Sequence, residues 1–282
     1  MTKKLPQRII GLITCITVIL SVLISLFGAL LTGFALADDL ECWRPDYDKT
    51  DLNAILAKTA LTDEDYSELY RQTGLTKIGV DRMIARGEAG RQRIIAIQKD
   101  YFKEREVKHS IFGFLLCTDY VDESMPAAYL ENGDILITSS THFSSWRMGH
   151  AGIVTDADKN EVLQSGVAGE LSSVDRLSDF TDRINFMILS PKVGKEVKQQ
   201  VADYAVKNLT GKKFSAVTGI FTDKNKSDYT HCSHLVWYAY KQFGIDLDSN
   251  GGGLVTSQDI FKSPEVEVVQ VFGFDPDKLW YY

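Results

Sequence analysis

Two residues of this chain, 82 positions apart, have side chains that could do covalent chemistry together: the thiol of Cys232 and the imidazole of His150. Cys232 belongs to YTHCSHLVWYAYKQF, residues 229–243, where Cys232, Val236, Ala239 and Phe243 recur at i, i+4, i+7 and i+11 on one helical face. Gly244 follows, a residue suited to a left-handed helix end. Thr230, His231 and Ser233 crowd the opposite end, which puts the cysteine in or near the first turn. Unpaired backbone N–H groups and the helix dipole favour thiolate there. Such a site lowers a cysteine pKa from about 8.5 into roughly the 3.5–7.5 range. The competing reading is a buried cysteine acting as a small hydrophobe.

A thiol nucleophile needs an imidazole in reach to take its proton and later to protonate the leaving group. The imidazole needs a polar side chain on its other nitrogen, to fix its tautomer and direction. His150 opens the apolar stretch GHAGIVT, residues 149–155, and EVLQS, residues 161–165, follows. The turn formers at 156–160 predict a hairpin between them, with Gln164 across from His150. Glu161 competes for that role, but its place beside the turn suits a solvated carboxylate. Gly149, Ala151 and Gly152 are small enough to let a helix carrying Cys232 approach closely.

The elements that would position these residues follow from pattern. Thr62 and Asp65 form a helix-opening box, and the helix ends at Gly74. Further helices are expected at about 77–86, 88–104 and 195–208, with a short one in 51–61. Residues 118–130 read as a linker. Strands are expected at 133–138, 149–155, 161–165, 170–174, 184–190 and 266–272. Runs of strands with helices set to one side indicate an α+β domain with an antiparallel sheet. The front region, about 45–108, is expected to pack against that domain, or to wall a substrate cleft.

GDILIT, then GHAGIV, then a strand with Gln164, and only later YTHCSHLVWYAYKQFGIDL, together resemble the circularly permuted NlpC-type papain-like hydrolases of the YiiX/YebB-like and YycO-like group. The resemblance covers about residues 130–272, and TDEDY…QTGL resembles the helical front of YycO-like members. It implies an antiparallel half-barrel with the nucleophile helix packed on it. It also implies Cys232 as nucleophile, His150 as base and Gln164 as the polar third residue. Tyr229 stands where relatives place a tyrosine in the oxyanion region. Similar sequences have Pro where Ser257 stands, so a different turn is expected there.

The first 37 residues differ in kind. Lys3, Lys4 and Arg8 precede an uncharged, mostly apolar run, residues 9–37, and Asp38, Asp39 and Glu41 follow it. Basic before and acidic after places the remainder outside the cytoplasmic membrane. Ala35, Leu36 and Ala37 form an A-x-A cleavage pattern, while 29 uncharged residues also suffice for an uncut anchor. The expected organisation is a signal peptide or anchor at 1–37, a helical region at 38–120 and a hydrolase domain at 121–282. Without its three basic leader residues the chain has 28 basic and 38 acidic residues, net −10, which argues against nucleic acid as a partner.

Cys42 and Cys117 could pair outside the cell or stay as two structural thiols. No Cys/His spacing suits zinc, the 246–251 segment lacks the closing Glu of an EF-hand loop, and no cofactor is expected. The loop 139–148, with His142, Trp146 and Arg147, is a candidate for substrate recognition. His231 and His234 flank the nucleophile, and on a helix they should point away from it. The expected activity is hydrolysis of an amide or ester through an acyl-thioenzyme by a monomer, on peptide or lipid-like substrates such as cell-wall peptides. The alternatives are acyl transfer to an amine or lipid acceptor, or a non-catalytic wall- or lipid-binding module.

Overall fold

The computed structural model describes residues 7–36, 42–112, 116–143, 146–167, 169–276 and 278–279. The chain begins with a long apolar helix, α1 (Gln7–Leu36), then α2 (Asn53–Leu56), α3 (Asp63–Thr73), α4 (Lys77–Ile84) and α5 (Glu88–Tyr101). Strands follow: β1 (Val107–Phe112), β2 (Leu116–Val121), β3 (Ile135–Thr138), β4 (Thr141–Phe143), β5 (Trp146–Arg147), β6 (His150–Asp156), β7 (Glu161–Gln164) and β8 (Ser173–Arg176). The remainder is α6 (Ser178–Thr181), β9 (Phe186–Pro191), α7 (Lys195–Leu209), β10 (Lys213–Phe214), β11 (Tyr229–Thr230), α8 (Cys232–Lys241), α9 (Ser257–Lys262) and β12 (Val266–Phe272). The class is α+β.

The main sheet has the order β12-β9-β3-β6-β7-β8, with every neighbouring pair antiparallel. Because strand side chains alternate between faces, its core strands split into two sets. Ile135, Ile137, Ala151, Ile153, Met187 and Leu189 face one core, shared with Val201 of α7 and Leu235 and Val236 of α8. Leu136, Val154, Phe186 and Ile188 face the other, shared with Leu69, Met83, Ile94 and Ile97 of the front helices. Helices therefore cover both faces of the sheet, not one, because the central strands are apolar on both sides.

The front helices are stitched to the last strand. Thr62 caps α3 with the expected reciprocal box, and Gly74 closes it in the left-handed region at φ 69°. A side chain at Gly74 would meet the Val271 carbonyl oxygen at 1.9 Å, so the glycine both ends the helix and admits β12. Thr76 continues the seam, its hydroxyl donating to the Val268 carbonyl at 2.5 Å.

A second antiparallel sheet has the order β1-β2-β4-β5. It corrects the linker expected at 118–130, since residues 116–121 form β2, paired along its length with β1. The segment after GIDL departs from expectation too. Ser257 is the first residue of α9, behind a Thr256–Asp259 capping box. Proline is favoured at that same helix position, so a serine there needs no different turn.

In α1 the window Ile13–Leu30 has mean hydropathy 2.5 and is unburied, which by length and composition is enough to cross a membrane. Ala37 of the expected cleavage pattern lies outside the described residues.

Candidate active site

His150 is the first residue of β6, directly after Gly149 in a left-handed turn at φ 71°. Its Nε2 lies 2.5 Å from Gln164 Oε1. An amide oxygen only accepts, so Nε2 carries the proton and Nδ1 is left for a second partner. Gln164 is fixed in this orientation from behind, because its Nε2 donates to Asp179 Oδ2 at 2.8 Å and Asp175 Oδ2 at 3.1 Å. In register Gln164 stands opposite Gly152, two residues along from His150, and the contact is diagonal across the hairpin. Glu161 pairs with Asp156 at the turn end of β7, away from the histidine.

The imidazole is also held by its face. The Phe180 ring stacks on it, with centroids 5.2 Å apart and planes 19° apart. Phe180 reaches that place because position 152 has no side chain. A Cβ there would stand 2.8 Å from Phe180 Cζ and 2.7 Å from Val162 Cγ1. The space at Gly152 thus serves Phe180 rather than the nucleophile helix. Ala151 and Ile153, on the other face, share their core with α8.

Cys232 is the first residue of α8 and stays half-buried, with its sulfur 3.6 Å from Ser233 Oγ. Ser233 in turn bonds Ser257 Oγ at 3.0 Å, tying the helix start to α9. Burial pushes the Cys232 thiol up. The charge of His150 and a hydrogen bond with it, then the hydrogen-bonding and charge influence of His231, outweigh that and hold the thiol well below its ordinary value. The sulfur, the imidazole and the amide 68 residues before the cysteine thus meet at one place, a cysteine–histidine–glutamine arrangement able to hold a thiolate beside a base.

The other expected residues are placed as follows. His234 does point away from the sulfur: its Nε2 donates to the Lys224 carbonyl at 2.8 Å and its Nδ1 lies 2.9 Å from Thr230 Oγ1. Burial lowers its pKa to about 4, with a backbone bond to Lys224 opposing the shift. His231 differs from expectation. It is the N-cap of α8, with extended backbone (φ −127°, ψ 174°), so helical geometry does not turn it away, and it bears on the Cys232 thiol. Tyr229 sits on the outer side of β11 and is 45% exposed, while Thr230 beside it is fully buried.

In the candidate recognition loop, Trp146 and Arg147 form β5, and residues 144 and 145 lie outside the described residues. Arg147 and His142 turn inward to Asp119, at 3.0 and 3.1 Å. Arg147 also lines a cavity of about 240 Å³ together with Trp43, Arg44, Ser139 and Asn185. Neither Cys232 nor His150 lines that cavity. Cys42 and Cys117 are separate buried free thiols. Burial, opposed by Arg105, raises the Cys42 pKa to about 11, while burial and then the Asp119 charge raise that of Cys117.

Comparison of the chain with protein-family models, with curated proteins and with solved structures gives no match.

Proposed function

We propose that the chain is an exported cysteine hydrolase of the permuted NlpC type, cleaving an amide or ester bond through an acyl-thioenzyme. The observation that carries this reading is the grouping of a partly buried Cys232, at the start of α8, with His150, whose Nε2 is committed to Gln164 and whose charge and hydrogen bond hold the thiol below its ordinary pKa. A structural cysteine has no use for that arrangement, and Cys42 and Cys117 have pKa values raised by burial.

The chemistry follows from the protonation states. His150 Nδ1 takes the thiol proton, and the Cys232 sulfur attacks the carbonyl carbon. A C–S bond forms as the carbonyl π pair moves to oxygen. Collapse of that adduct expels the amine or alcohol, which takes the proton from Nδ1. Water then adds to the thioester and gives its proton to the same nitrogen. The thiolate leaves, and the carboxylic acid is released. Gln164 keeps the ring from rotating through these transfers, and Phe180 keeps it in plane. The helix α1, with basic residues before it and acidic residues after it, supports export as a cleaved leader or a retained anchor. Peptides of the cell wall are the substrate class that suits an exported enzyme of this kind.

The test is a screen of the purified full chain against peptidoglycan fragments and simple amides and esters, with products followed by mass spectrometry. Cys232→Ala should abolish turnover of whatever is cleaved while its thermal unfolding stays that of the parent. Turnover that persists in the variant would remove Cys232 from the mechanism.

A further inference from the structure

We infer that His231 is a catalytic residue that donates a hydrogen bond from Nε2 to the oxyanion formed during attack by Cys232. The inference rests on the cysteine-hydrolase reading and names a group which that reading does not use. His231 Nδ1 accepts from the backbone N–H of His234, at 3.4 Å, as the cap of α8. An accepting Nδ1 is unprotonated, so in the neutral ring the proton sits on Nε2. That Nε2 is buried, has no oxygen or nitrogen partner, and belongs to a side chain only 7% exposed, so the only polar atom left for it is the Cys232 sulfur, on which the ring acts. A buried donor without a partner costs about 1–3 kcal/mol, and folded proteins rarely leave one without a reason.

The ring stands immediately before the nucleophile and acts on its sulfur, so the donor borders the space where a carbonyl bonded to that sulfur must lie. Two N–H groups then converge on one oxygen. One is the Cys232 backbone amide at the helix start, where the first N–H groups have no partner within the helix. The other is His231 Nε2–H. In the attack, the C–S bond forms, the π pair becomes an oxygen lone pair, and both donors meet that charge. When the adduct collapses, the pair returns to the C=O bond and the donors are released, with no net proton moved through His231.

The experiment compares two reactions of Cys232 in the full chain in detergent, each measured on its pH-independent plateau. Alkylation by iodoacetamide requires the thiolate and generates no oxyanion. Acylation by p-nitrophenyl acetate requires both, and is read as a burst of p-nitrophenolate. His231→Asn and His231→Ser keep a good cap for α8 and remove the ring donor. The expected result is a fall of about 100-fold in the acylation rate of both variants, the magnitude for losing one oxyanion donor. Alkylation should stay within about two-fold of the parent. His231→Gln, whose amide N–H has similar reach, should recover at least part of the loss. Equal acylation in parent and variants, or a parallel fall in both reactions, would overturn the assignment, since a purely structural cap affects the two alike. So would the lack of any burst in a parent chain whose thiol alkylates as a thiolate. An alkylation midpoint near 8.5 in the parent would instead sink the nucleophile reading on which the inference rests.

Discussion

Two buried polar groups in this molecule use the same residue types and reach opposite ends. In the small sheet, Asp119 Oδ1 accepts from His109 Nδ1 at 2.7 Å and lies 3.1 Å from His142 Nε2, while Oδ2 accepts from Arg147 Nη1 at 3.0 Å. Burial pushes that carboxyl up, but the bonds to His142 and His109 and then the charges of His142 and Arg147 hold it below the usual range. Both oxygens are engaged and the charge is spent on holding β1, β2, β4 and β5 together. At the start of α8 the carboxylates stand one step back. Asp175 and Asp179 bond the Gln164 amide, and only the neutral amide oxygen touches His150. The difference is one of placement. A carboxylate pressed directly onto histidines makes a closed ion pair, and one relayed through an amide fixes a ring while leaving its second nitrogen for a thiol.

Breaking each group should have a different signature. The largest effect belongs to Cys232→Ser, which should lower p-nitrophenyl acetate turnover about 10⁴-fold or more, measured by initial rates, with no loss of fold. Asp119→Ala should do the reverse. Leaving two imidazoles and Arg147 without their counter-ion should remove about 3–5 kcal/mol from the unfolding free energy in urea. The alkylation rate per folded molecule should not change. An alkylation midpoint that moved with Asp119 would erase the contrast.

Next comes pH. His234 is fully buried with its pKa lowered to about 4 from 6.5, so the unfolded chain binds its proton first as pH falls. Its contribution is fully present above 6.5 and lost between 6.5 and about 4. Urea unfolding should lose about 3 kcal/mol over that window from this group. His234→Asn should flatten the slope by that amount. Gln164→Leu removes the acceptor for His150 Nε2–H and should lower turnover on the order of 10²-fold, with little change in the urea midpoint. The smallest effect is expected for Gly152→Ala. Its methyl must displace Phe180 or Val162, which costs about 1–3 kcal/mol by thermal unfolding and loosens the ring against His150.

Much of this placement was legible in the residues. The capping box at Thr62, the αL glycine at 74, the strand opened by His150 and the helix opened by Cys232 all follow from local rules. So does Gln164 as the orienting amide, because a two-residue period puts it on the face of His150. The rest depended on tertiary context. The β1–β2 pairing is hard to read from the residues because a continuous apolar run, IFGFLL, covers the end of one strand and the start of the other without alternation. Helical spacing turns His231 away from the sulfur, but as the N-cap it has extended backbone and acts on the Cys232 thiol. Phe180 could not be found at all. Its role depends on the empty space at Gly152, and only packing brings those two positions together. The inward turn of Arg147 is not legible in its loop because its partner, Asp119, lies 28 positions away.

The surroundings of Cys232 favour its thiolate, and the molecule supplies its own controls. Iodoacetamide labelling of the full chain in detergent, followed by peptide mapping across pH 4–11, reads Cys232 beside Cys42 and Cys117. Cys232 should label with a midpoint well below 8.5, while Cys42, pushed up to about 11, and Cys117, also raised, resist. A Cys232 midpoint at or above 8.5, in step with the other two, would contradict it.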